Sequence, residues 1–172
     1  ELGGKAAALV FMVGGERADV ERAAPVLNVM GKHVFHLGPI GAGHTMKSIN
    51  NTITAMTLAA TAEGLVLGKK LGLDPNVMTD VLNVSTGMSW ITQTHIKQRI
   101  TNRAFDDPFK LELMVKDIRI ALELAQREPT AVPLWECGQR IWQCADSTAG
   151  RGASVSELVR YIEQQAGTQI MP

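Results

Sequence analysis

The sequence predicts a mainly helical protein: an all-helical C-terminal domain opened by one long helix and preceded by a short strand–helix–strand segment. Three observations predict it. Two apolar runs of strand length, Ala6–Val13 and His33–Leu37, lie either side of a helical pattern. From Gly43 onward the apolar spacing becomes helical and stays so. Between these regions stands Gly41-Ala42-Gly43-His44-Thr45-Met46-Lys47-Ser48-Ile49-Asn50-Asn51, where two glycines open a helix that carries polar groups at its start. The pattern changes near residue 40, so the expected domains are 1–40 and 41–172.

The run ending at Val13 is closed by Gly14-Gly15 and reads as a buried strand. Asp19 is placed to cap a helix through Val20, Ala23, Val26 and Met30, with Pro25 as a local irregularity and Gly31 as its stop. The strand His33–Leu37 ends at Gly38-Pro39. Two strands do not make a stable sheet by themselves, so this segment looks like the trailing edge of a larger sheet. The long helix is expected from His44 to about Lys70, roughly 40 Å. Its apolar character on most sides predicts burial nearly all round. One face continues from His44, Lys47 and Asn51 into Ala55, Leu58, Ala62 and Val66.

Asp74-Pro75 is an N-cap followed by proline at the first helical position, opening a helix over 76–84. A further helix is expected from Trp90 through Ile100, then a bent polar loop over 101–108. The segment Leu111 to Arg127 is strongly amphipathic. Leu134 to Ala145 carries Trp135 and Trp142 seven apart, and Ser154 with Glu157 form a capping-box pair for a last helix over 155–165.

At 172 residues with no net charge and no basic run, the chain offers no nucleic-acid or polybasic membrane surface. No apolar run reaches the ~18 residues that span a bilayer, and no signal peptide is visible. Cys137 and Cys144 fall on one helix face but roughly 10 Å apart along the axis, too far for a disulfide. Reduced thiols and a cytoplasmic location are expected. No metal is expected, because no other ligand stands near the cysteines at a useful spacing.

Lys47 and Asn51 stand at i and i+4 and share a helix face, with His44 three residues before Lys47. A cation, an amide and an imidazole near a helix start form a site-like cluster, although a solvated face explains the same spacing. Lys116-Asp117 interrupts the apolar face of the 111–127 helix. A lysine there is most often a snorkelling or solvated side chain. Asp117 is expected to be exposed or a cap, and to pair with its neighbour Lys116 only weakly.

Three segments together carry a family resemblance: Gly41-x-Gly43-x-x-x-Lys47-x-x-x-Asn51, then Ala62-Glu63-Gly64 with Lys69-x-Leu71-Gly72-Leu73-Asp74, and Phe109-x-Leu111-x-Leu113-Met114-x-Lys116-Asp117. Nearly the whole chain resembles the β-hydroxyacid dehydrogenases, which include 3-hydroxyisobutyrate dehydrogenase and tartronate semialdehyde reductase. That resemblance implies an N-terminal Rossmann domain joined by one long helix to a helical substrate and dimerisation domain. Residues 1–40 then look like the trailing part of the Rossmann domain. The glycine-rich dinucleotide fingerprint and the Ser-Gly-Gly substrate signature are absent, and Gly3-Gly4 is not that signature. A fragment is therefore expected, inactive by itself.

The resemblance implies NAD or NADP as cofactor, a small hydroxyacid as substrate and a homo-oligomer formed through the helical domain. It makes Lys47 the catalytic acid/base and Asn51 the substrate anchor, with Lys116 and Phe109 at the cofactor. Lysine suits the chemistry: it takes a hydroxyl proton or gives one to a carbonyl oxygen when burial or neighbouring cations lower its pKa. Asp117 would steady Lys116 or a neighbour, and the role of His44 stays open. Two alternatives stand beside this reading. A 6-phosphogluconate dehydrogenase shares the Gly-Ala-Gly-His opening but carries a glutamate where this chain has Thr54, and its helical domain is longer. A non-catalytic helical oligomerisation module would keep the alanine-rich long helix without the chemistry.

Overall fold

A computed structural model describes residues 9–172. Ala6–Ala8 and Gly3-Gly4 lie outside the described residues. The chain divides between Asn50 and Asn51 into two compact units.

In the first unit, β1 (Leu9–Val13), α1 (Arg17–Met30) and β2 (Gly31–His36) form a βαβ arrangement whose two strands pair in parallel. Val10 faces His33 and Val13 faces His36 across the pair, with a register shift between Leu9 and Val10. β1 is not the buried strand its composition predicts: Val10 is about half exposed, as is Phe35 on β2. Among the described residues β1 pairs with β2 alone, so its other edge and part of its faces are uncovered. Helix α1 starts at Arg17 with Glu16 at the cap position, not at Asp19. Asp19 instead sits in the first turn and accepts a 2.7 Å bond from Arg22. The helix runs through Pro25 without a break, and Gly31 is both its stop and the first residue of β2.

The long helix α2 (Ala42–Lys70) spans the division between the units. In the second unit it is not buried all round. Asn51, Ala55, Leu58, Ala62 and Val66 are buried, as the stripe predicts, whereas Ile53, Ala60, Glu63 and Leu67 are exposed on the opposite side. The remaining elements are α3 (Pro75–Asn83), α4 (Trp90–Thr94), a π-helical turn (Ile96–Ile100), α5 (Leu111–Arg127), α6 (Pro133–Ala149) and α7 (Glu157–Ala166). Asp74 caps α3 as predicted, its carboxylate accepting from the backbone N–H groups of Asn76 and Val77. α5 packs on α6 and α6 on α7. Around them the α2 stripe, Leu111, Ile118, Trp142, Leu158 and Ile170 close one continuous core.

Two expected elements differ. The single helix over 90–100 is an α-helix followed by a π turn. Ser89 and Thr92 close a capping box at its start, and in the wide turn Ile96 and Ile100 are both buried, its last bond running from Thr101 N–H to Ile96 carbonyl. The capping box of Ser154 and Glu157 does not form. Ser154 is held in an antiparallel bridge to Lys110, so α7 begins only at Glu157, with Ser156 at the cap position and no side-chain cap bond. Glu157 turns to Arg160, 3.6 Å away.

Candidate functional site

The glycines that open α2 act first on packing. Gly41 has φ +94°, a conformation that L side chains rarely adopt. A methyl group on Gly43 would overlap the Met12 carbonyl oxygen, and one on Gly14 would meet the Pro39 carbonyl. These absences let the first turn of α2 rest on the end of β1. The same corner is stapled by His36, whose Nε2 lies 2.8 Å from the Gly15 carbonyl oxygen and 3.2 Å from that of Gly38. His36 carried no signal in the sequence beyond its place at a strand end. His44 and Lys47 lie exposed in the first turns of α2.

Within the second unit the two motif segments meet. Asn51 is buried, and its Nδ2 donates a 2.6 Å hydrogen bond to Oδ2 of Asp117 on α5. The other oxygen, Oδ1, lies 2.8 Å from the Lys116 ammonium. The expectations that Asp117 is exposed and pairs only weakly are overturned, whereas these contacts agree with its steadying Lys116 or a neighbour. It is 7 % exposed, and it pairs closely with its neighbour because the long lysine side chain, half in solvent, curls back over its own helix. The signal was available: Asp117 stands three residues after Met114 and four before Ala121, within the apolar stripe of α5. Phe109 packs its ring against the core. Its N–H donates to Asp107, and its carbonyl accepts from Val155 N–H at 2.8 Å.

A second buried polar cluster was not anticipated. His95, at the joint between α4 and the π turn, has Nε2 3.2 Å from the Ser156 hydroxyl. Its Nδ1 lies 3.4 Å from Asp107, within ion-pair reach but without hydrogen-bond geometry. Burial lowers the His95 pKa below 6.5; the carboxylates of Asp107 and Asp106 work against that, and Arg99 adds to it. The order serine–histidine–aspartate resembles a nucleophilic triad, yet Ser156 is fully buried and presents no hydroxyl to a substrate. The cluster ties three segments together. Among the described residues, no group of three His, Cys, Asp or Glu side chains could hold a metal ion, and Cys137 and Cys144 are free and exposed.

Comparison with known proteins gives the class. Residues 41–162 match the family described as NAD-binding of NADP-dependent 3-hydroxyisobutyrate dehydrogenase. Residues 1–38 match the NAD binding domain of 6-phosphogluconate dehydrogenase. The chain therefore belongs to the 3-hydroxyisobutyrate dehydrogenase family of NAD-binding proteins, and it combines a small Rossmann remnant with a helical domain. It is 31% identical to 2-(hydroxymethyl)glutarate dehydrogenase of Eubacterium barkeri, over 98% of this chain and 56% of that protein. It is 38% identical to 3-hydroxyisobutyrate dehydrogenase of Pseudomonas aeruginosa, over 77% of this chain and 46% of that one. Its fold matches that of Mycobacterium tuberculosis 3-hydroxyisobutyrate dehydrogenase, solved with L-serine, at TM-score 0.82 and 31% identity, covering 95% of this chain and 57% of the other. The chain spans about half the length of the curated relatives it matches.

Proposed function

We propose that this chain is the C-terminal part of an NAD- or NADP-dependent dehydrogenase that interconverts a small 3-hydroxyacid and its oxo (semialdehyde) form. Residues 1–40 are assigned to the trailing part of the Rossmann domain, and 41–172 to the helical substrate and dimerisation domain. The observation that carries this reading is the buried bond between Asn51 and Asp117. It joins motif segments 66 residues apart into one buried polar group. Relatives named as dehydrogenases of hydroxyacids and of L-serine support the reaction class.

In this reading the nicotinamide, when bound, exchanges a hydride with the substrate carbon. Lys47 Nζ takes the hydroxyl proton in oxidation and returns it to the carbonyl oxygen in reduction. Asn51, one turn further along α2, anchors the polar oxygens of the substrate. Lys116, half exposed and tied to Asp117, suits the nicotinamide end of the cofactor, and Phe109, packed against the core, is assigned to the same cofactor site. Gly14 and Gly43 are filled by close backbone contacts, so they are not assigned to a phosphate cradle.

The test is nicotinamide absorbance at 340 nm with the complete gene product and a panel of small 3-hydroxyacids, 6-phosphogluconate included. Lys47→Ala should lower kcat by about 100-fold or more while cofactor still binds. Turnover unaffected by that substitution removes Lys47 from the mechanism, and turnover of 6-phosphogluconate alone moves the enzyme to the sugar-phosphate branch.

Self-association is assigned to the helical unit. Leu73, Val77 and Val81 are each more than half exposed along a groove of about 770 Å³ between α2 and α3, a wide apolar surface for a second copy to cover. Light scattering should give a multiple of the chain mass, and Val77→Lys should return the monomer; a monomeric parent rejects the assignment. No helix among the described residues is long and apolar enough to cross a membrane. A cytoplasmic location is part of the proposal, supported by the two exposed free thiols.

A further inference from the structure

We infer that Asp117 is a positioning residue whose carboxylate fixes the direction of the Asn51 carboxamide, so that a substrate meets one unchanging polarity there. The inference rests on reading Asn51 as the substrate anchor. A carboxylate only accepts hydrogen bonds. The group 2.6 Å from Asp117 Oδ2 is therefore a donor, and Asn51 can supply a donor only from Nδ2. Turning the amide over would set Asn51 Oδ1 against Oδ2, two acceptors with no proton between them. Asn51 and Asp117 are 6 % and 7 % exposed, so little water is at hand to relieve that contact.

A solvated asparagine exchanges its two ends freely. This one has its nitrogen held to α5 by the Asp117 carboxylate. The Lys116 ammonium on Oδ1 balances a charge that burial would otherwise leave alone. One carboxylate thus sets the direction of the amide and tethers the ammonium, two groups from different segments of the chain.

The direct test needs no substitution. In the chain labelled with 15N and 13C, a through-hydrogen-bond coupling is expected between Asn51 Nδ2 and the Asp117 carboxyl carbon, with one Asn51 amide proton shifted downfield. Absence of the coupling, with both amide protons at solvated positions, overturns the inference. Asp117→Asn then tests the consequence, because it keeps the side-chain shape and lets either amide direction pair. In the complete gene product it should raise KM for the hydroxyacid about tenfold while kcat changes by less than about threefold. A purely structural role would lower the melting temperature and leave KM unchanged, and that result overturns the inference. If the gene product turns over no hydroxyacid, the function proposed above fails, whereas a detected coupling still supports the fixed amide.

Discussion

The two units solve the burial problem differently. The second unit closes a core around fully buried Trp142, Ile118, Leu158 and Ile170. In the first unit, Val20 is the one buried large apolar side chain among the described residues, while Val10, Phe35, Val26, Val29 and Ile40 are exposed. Two strands and one helix cannot supply more. Order in the first unit comes instead from backbone fit: the Gly43–Met12 and Gly14–Pro39 approaches and the His36 staple. Such fit aligns a helix start closely but contributes little burial free energy. Among the described residues, the long helix thus begins where few apolar side chains are buried and ends within a closed core.

The largest expected effect separates the two. Trp142→Ala should destabilise the second unit by about 3–5 kcal/mol, since it empties a large, completely buried site. Val20→Ala should cost about 1.5 kcal/mol and act within the first unit. Hydrogen exchange measured element by element checks both. Trp142→Ala should speed exchange in α5, α6 and α7. If it speeds β1 and β2 equally, the units unfold as one cooperative body and the contrast between them is lost.

The legibility of the sequence follows the same division of physics. Periodicity located α2, α5 and the buried stripe from Asn51 to Val66, because a 3.6-residue repeat records which face meets a core. Asp74 was readable because a cap needs only local chemistry. The failures were tertiary. Ser154 has the right neighbours for a capping box but is held in the bridge to Lys110. The change from α4 to the π turn leaves no mark in a helical pattern, because Ile96 and Ile100, four apart, share a face in either geometry. At the candidate site the motif spacing singled out Lys116 and Asn51. The carboxylate that joins them is expected from the resemblance to steady Lys116 or a neighbour, but helix spacing alone speaks against the pairing, an argument about Cβ directions that a lysine chain four carbons long escapes.

The smaller effect sharpens the contrast through pH. His33, His36 and His44 of the first unit are exposed, whereas His95 of the second is buried between Ser156 and Asp107. Burial holds the folded His95 pKa below its ordinary 6.5, with Arg99 adding to the shift and Asp107 and Asp106 opposing it. The sign follows from proton uptake. Below 6.5 the unfolded chain binds a proton that the folded chain still refuses, so acid favours unfolding. The stability linked to His95 is complete above 6.5 and is lost as the pH falls toward the lower folded value. The melting temperature of the second unit should therefore fall on going from pH 7.5 to pH 5, and His95→Gln should flatten that part of the profile. Asp107→Asn removes the main opposing charge, lowers the folded value further and should steepen the loss. A profile unchanged by either substitution would mean that the cluster does not couple to folding, leaving hydrophobic burial as the whole difference between the two units.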